Sequence, residues 1–181
     1  CEVTAIGGHV PLLHRAALLA RALHAPRATL LHLGPDAYWP FHGSSKEFLN
    51  LDEYGLFDCF LLSPDVVDGH GTPCYPGVDA ASQRFPGGIG SLRLLYLGRR
   101  CILFVPEHSR QRLVPYVEPM PDTGMPLLPI PPWRGETRLI TPLATFDYDA
   151  ALGGFRLVVL HPGATLDEVQ ENTGFTFQVA P

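Results

Sequence analysis

The sequence predicts an α/β domain with a mostly parallel sheet flanked by helices. Short apolar runs alternate with segments of helical spacing through the first two thirds of the chain, the order that gives parallel strands joined by crossover helices. Two of these runs, Leu56 to Leu62 and Cys101 to Val105, are almost continuously apolar, as strands buried on both faces are. Closer to the carboxyl end the runs crowd together with a Gly153-Gly154 turn between two of them, which adds a hairpin to the sheet.

In chain order, Glu2 to Ile6 is strand-like and ends at Gly7-Gly8. Pro11 then suits a first helical turn. Leu12, Leu13, Ala16, Ala17, Leu19, Ala20 and Leu23 set out a broad apolar helix face, with Arg15 and Arg21 opposite. Ala25-Pro26 closes that helix, and Ala28 to Leu33 is the next strand, stopped by Gly34-Pro35. Residues 35–55 are loop-rich, with a weak helix about Ser45 to Asn50. Residues 63–90 carry Gly and Pro throughout and are expected to be functional loop. Leu92 to Leu97 is expected to be a short helix, and 115–133 a proline-dense covering arm. Thr137 to Pro142, Ala144 to Tyr148 and Phe155 to His161 are three strands. The first should adjoin the parallel set and the last two should pair as a hairpin. Thr165-Leu166-Asp167-Glu168 is a capping box that starts a helix, Gly174 ends it, and Phe175 to Val179 is a last strand.

The 181 residues fit one domain, 1–181. The apolar share of 46% against 17% charged is slightly rich, which hints at a buried subunit interface. With 13 Lys and Arg against 18 Asp and Glu, and a net charge of −5, the chain carries no footprint for nucleic acid. It has no apolar run of about 18 residues to span a membrane. Cys59 and Cys101 fall in apolar runs and act as small hydrophobes. No cysteine spacing suggests zinc, and the compartment is expected to be reducing and cytoplasmic. Asp68, His70 and Cys74 share a Gly-Pro loop but lack a second ligand set, so no metal is expected.

Against this background the run Thr137 to Tyr148, then Arg156-Leu157-Val158-Val159-Leu160-His161-Pro162-Gly163, then Thr165 to Phe177, resembles the β subunits of family I CoA-transferases of the glutaconate type. His24-Ala25-Pro26 with Thr29-Leu30-Leu31, Val67-Asp68-Gly69-His70-Gly71, and Arg84-Phe85-Pro86-Gly87-Gly88-Ile89-Gly90-Ser91 are similar to further family motifs. The likeness covers nearly the whole chain and implies flanking segments before Glu2 and after Pro181. It also implies an acyl-CoA thioester as substrate, no permanently bound cofactor, and a homologous α subunit as partner in a heterodimer or heterotetramer.

In that family a glutamate carboxylate attacks the thioester and carries CoA as a glutamyl intermediate. Glycine-rich turns bring backbone N–H groups to the developing oxyanion. Counting from His24-Ala25-Pro26, the glutamate's place falls on Leu33, and a one-residue slip gives His32. Neither is a carboxylate. Glu53-Tyr54-Gly55 mimics the motif but comes just before the following strand. The family's Gly-Gly after the central strand is Ser63-Pro64 here, and Ile89 replaces one glycine of the Gly-rich loop. Phe104 to Pro115 and Arg84-Phe85-Pro86-Gly87 look most like the decarboxylase members, which have also lost the glutamate.

The resemblance therefore implies altered thioester chemistry, of a decarboxylase or a hydrolase. The acid or base would come from the α subunit or from His32, at a strand's carboxyl end. Ser63, His70, Gly87, Gly88 and Gly90 are the candidate substrate and CoA contacts. A conventional transferase subunit and a non-catalytic partner of an active α subunit remain open on this sequence. His161-Pro162-Gly163 is expected to be a structural turn.

Overall fold

The computed structural model describes residues 2–6, 11–32, 50, 54–74, 99–117 and 135–180. The family glutamate's place at Leu33, Glu53, the glycines Gly87, Gly88 and Gly90, the expected helix at Leu92 to Leu97 and most of the proline-dense arm lie outside them.

β1 (Val3–Ile6) leads into α1 (Pro11–His24), which returns the chain to β2 (Thr29–His32). β3 (Cys59–Leu62), β6 (Arg100–Phe104) and β8 (Glu136–Ile140) continue the sheet on the other side of β1. β9 (Ala144–Asp149) and β10 (Gly154–Leu160) are the expected hairpin, and the short β11 (Gln178–Val179) closes the edge. The order is β11-β10-β9-β8-β6-β3-β1-β2. The pairings from β2 to β8 are all parallel, and only β8–β9 and β9–β10 are antiparallel. The α/β, mostly parallel architecture is the one that the sequence predicts.

One expected loop is partly sheet. Within 63–74 the chain forms β4 (Val66–Asp68) and β5 (Pro73–Cys74), which join β7 (Leu113–Val114) in a second sheet of order β5-β4-β7. Strands of two or three residues are too short to show a period in the sequence. Their buried Val67 and Leu113 face the main core.

That core occupies one face of the large sheet. Phe60, Leu62, Leu103, Leu139, Phe146, Phe155 and Leu157 meet Val67, Leu113, Val169 and Phe175. Phe146 sits centrally, edge-on to Phe155, Phe175 and Phe177 at centroid distances of 6.2, 6.2 and 5.3 Å. Removing such a ring costs about 3–5 kcal/mol, so this cluster alone can decide folding. Val169 comes from α2 (Leu166–Asn172), capped by Thr165, whose hydroxyl accepts the Glu168 N–H at 3.2 Å. His161-Pro162-Gly163 is a turn as expected, closed by Ala164 N–H donating to His161 O at 3.0 Å. The expected last strand shrinks to β11 because Phe175 and Phe177 turn inward to the rings instead of extending along the sheet.

The opposite face holds a smaller cluster of Ile6, Leu13 and Ala17, with Leu30, Leu61 and Phe104 against it. α1 therefore buries Leu13, His14 and Ala17, while Leu12, Leu19 and Leu23 are exposed. This corrects the expected leucine-rich face. Residues 13, 14 and 17 lie on one arc at helical spacing, and the arc toward the sheet contains one leucine, a histidine and an alanine.

Candidate functional site

The strand order fixes where a site can form. From β1 the chain crosses to β2 on one side and then returns to β3 on the other, so the direction of winding changes between β1 and β3. In open α/β sheets the crevice at the carboxyl ends of such strands is where ligands bind. Here those ends are Ile6, in register with His32 on β2, and Leu62, which Ser63 follows.

His32 faces α1. Side chains alternate along a strand, so His32 shares the face of Leu30, which packs in the α1 cluster, while Leu31 points into the main core. α1 runs back antiparallel to β1, which brings its first half to this same end. His14 meets His32 there: their Nδ1 atoms are 2.6 Å apart, and the ring planes are within 22° of parallel with centroids 5.0 Å apart. Both are buried, at 8% and 3% exposure. Burial first, and then neighbouring His14, hold the His32 imidazole below its usual 6.5. An Nδ1–Nδ1 hydrogen bond needs one ring with Nδ1–H and the other with a bare Nδ1, so the two rings are in different tautomers.

His14 is absent from the sequence-predicted site. A signal for it existed: it lies beside Leu13 and one turn before Ala17, on the arc that faces the sheet, at the helix end that returns to the strand's carboxyl terminus. Ser63, the predicted contact, donates its hydroxyl to Phe104 O at 2.9 Å and so ties the end of β3 to the end of β6. The structure thus places His32 and Ser63 on the same edge of the sheet.

His70 is elsewhere. Its Nδ1–H donates to Gly153 O at 3.3 Å, and its ring lies edge-on to Tyr116. Gly153 precedes β10 where Gly154 pairs with Asp149, and Arg138 pairs with Asp147, so this turn lies level with the start of β8. That is the end at which the parallel strands begin. His70 lines a shallow groove there with Gly69, Leu152, Phe155, Phe175 and Phe177. Neighbouring Asp68, 1% exposed, spends its carboxylate on backbone: Oδ1 accepts from His70 N–H and Thr72 N–H at 2.9 and 2.8 Å, and Oδ2 from Val117 N–H at 3.2 Å.

A second groove, lined by Glu2, Asp58, Arg99, Arg100 and Glu136, also lies at the strand starts. Its charges are paired internally: Arg100 with Glu136 at 3.2 Å and Glu2 at 3.5 Å, and Arg99 with Asp58 at 3.7 Å. Neither groove is at the carboxyl ends of β1, β2 and β3, where His32 and Ser63 lie.

Nucleophiles are scarce. Burial pushes the Cys59 thiol up to about 12, and burial also raises Cys74. A thiol so far from ionising is a poor nucleophile at neutral pH. Among the described residues there is no group of three or more His, Cys, Asp or Glu that could hold a metal. No described helix is long and apolar enough to cross a membrane.

No protein-family model matches the chain, and neither does any curated protein. Solved structures do. The decarboxylase AibA/AibB is 29% identical at a TM-score of 0.75, with 99% of this chain and 79% of that chain covered. A cysteine-to-asparagine variant of the same decarboxylase reaches 30% over the same shares. Glutaconate coenzyme A-transferase from Acidaminococcus fermentans is 15% identical at a TM-score of 0.72, over 98% and 79%. IpdAB from Rhodococcus jostii RHA1 is 20% identical at 0.71, over 98% and 77%. The last two show the fold alone.

Proposed function

The chain belongs to the family I CoA-transferases, and on that premise we propose that it is one subunit of a two-subunit enzyme acting on an acyl-CoA thioester by decarboxylase or hydrolase chemistry, without a glutamyl-CoA intermediate. The observation that carries this reading is a conserved fold with a changed nucleophile position. The likeness to a decarboxylase runs over 99% of the chain, and the count from His24-Ala25-Pro26 puts Leu33, not a carboxylate, where the family glutamate is expected. A leucine side chain cannot form an acyl anhydride with the substrate.

In this reading the thioester lies at the carboxyl end of β1, β2 and β3. Backbone N–H groups of Gly87, Gly88 and Gly90 hold the oxyanion as it develops, and each such donor supplies roughly 10²–10³ in rate. His32 moves the proton that decarboxylation consumes or that hydrolysis transfers from water to the thiolate. Ser63 fixes the β3–β6 edge of the crevice through Phe104 O. His70 contacts substrate only if part of the acyl-CoA extends to the far end of the sheet. The partner is a homologous α subunit, in line with the two-part names of AibA/AibB and IpdAB.

The test is to incubate the complex with glutaconyl-CoA, trap with hydroxylamine, and map the peptides by mass. We expect turnover with residues 28–36 unmodified. A label on the peptide that holds Glu53 would establish a transferase with a displaced nucleophile in its place. Gly88→Val should lower turnover at least tenfold with an unchanged melting temperature.

A further inference from the structure

We infer that His14 is a positioning residue that acts through His32, the two imidazoles forming a relay that holds one proton at the carboxyl end of β2. The inference rests on the acyl-CoA reading of the site for its purpose, but not for its geometry.

The geometry favours a shared proton. Two nitrogens bound to one tetrahedral zinc at about 2.0–2.1 Å each would stand roughly 3.3 Å apart. The Nδ1 atoms of His14 and His32 are 2.6 Å apart, too close for a metal between them and right for a short hydrogen bond. With Nδ1–H on one ring and a bare Nδ1 on the other, the neutral pair has one bare Nε2 and one Nε2–H. A proton that arrives at the bare Nε2 lets the Nδ1 proton cross the contact, and the other ring then releases its Nε2 proton. One proton enters and one leaves, and each ring ends in the opposite tautomer. A second net proton would place two cations in contact in a site of 3% and 8% exposure, so the pair carries one.

The surroundings supply no competing charge among the described residues. α1 also carries Arg15, Arg21 and His24, all exposed. Val3–Ile6 of β1 has no titratable side chain, and Thr29–His32 of β2 has none besides His32. After burial, His14 is an influence resolved on His32. A pair kept only for packing would gain nothing from two polar rings, because leucines of similar volume would fill the α1–β2 contact without the cost of burying polar atoms.

Two measurements test this. The first uses ¹⁵N-imidazole NMR of the complex with the histidines labelled, from pH 8 to pH 4. One ring should be the Nδ1–H tautomer and the other the Nε2–H tautomer at pH 8, with a single proton taken up by the two together. Independent uptake of two protons, or the same tautomer on both rings, overturns the relay. The second follows glutaconyl-CoA turnover. His14→Gln and His32→Gln should each lower kcat at least tenfold with KM within twofold, shift the acid limb of the pH–kcat profile, and combine without further loss. A His14→Gln complex with unchanged kcat and unchanged acid limb overturns the positioning role. If that variant does not fold, the NMR result on the unaltered protein decides. An unaltered complex that turns over no CoA thioester overturns the acyl-CoA reading instead, and the tautomer measurement still decides the relay.

Discussion

His14 on α1 and His32 on β2 share a buried Nδ1–Nδ1 hydrogen bond of 2.6 Å, which makes the ionisation of His32 part of the fold's stability. Burial lowers the folded-state value of His32 below 6.5. A histidine with a depressed value stays neutral in the folded protein where the unfolded chain would already be charged. Stability should therefore be level above about pH 6.5 and fall as the pH drops through the folded value, with a slope of up to about 1.4 kcal/mol per pH unit for each such group. Urea midpoints between pH 8 and pH 4 check this, and His32→Leu should flatten the acid fall.

His108 contributes in the same sense and also stitches three elements. Its ring bonds to Thr141 Oγ1 at 2.7 Å and to Thr173 Oγ1 at 3.0 Å, joining the β8–β9 turn to the C-cap of α2 beside Phe146. Burial, its largest influence, again lowers its value. His108→Leu should cost about 1–3 kcal/mol, the loss of two partly buried hydrogen bonds, and should remove part of the acid sensitivity. Denaturant unfolding of the variant at pH 8 and pH 5 separates the two effects.

Asp68→Asn tests the loop clamp. The amide keeps an oxygen for His70 and Thr72 but can present its NH₂ to the Val117 N–H, setting donor against donor. The expected loss is about 1–3 kcal/mol. Hydrogen exchange at Val117 should quicken by more than at Thr72, and equal change at both would show that the carboxylate's charge, not its geometry, matters.

Two glycines should lose stability to alanine by very different amounts. Gly174 donates its N–H to Leu113 O at 2.7 Å, and a methyl group there would lie inside contact distance of that same carbonyl oxygen. Gly163 has open space but a φ of +90°, so alanine there costs only backbone strain of about 1 kcal/mol. Gly174→Ala should displace α2 from the second sheet and lower the melting temperature well beyond Gly163→Ala, as calorimetry of both variants would show.

The parallel strands and the hairpin were legible because each is a run of four or more residues with a clear pattern. The second sheet was not, since β5 and β7 have two residues each and β7 meets β4 only across more than forty residues of sequence, Leu113 beside Val67. The buried arc of α1 was misread for a related reason. Leu12, Leu19 and Leu23 outnumber Leu13 and Ala17 in hydrophobicity, but the crossover from β1 to β2 decides which arc meets the sheet. His32 was visible as a histidine ending a strand. Its partner needed the register of helix on strand, which spacing alone does not supply. The site glycines and Leu33 were named from motif likeness and lie outside the described residues.

The pairing order of the large sheet also bears on how the chain assembles. Thr4 on β1 pairs with Cys59, more than fifty residues further along the chain. β8, β9 and β10 pair through neighbours a few residues away and need only short loops to close. Contacts between near neighbours form faster than distant ones. The segment from β8 to β10 is thus the part that can order itself first, and pulse-labelled exchange during refolding should protect Leu139, Phe146 and Leu157 before Thr4 and Ile6. Until then α1, whose Leu12, Leu19 and Leu23 are exposed, has no β1–β3 pairing to pack on.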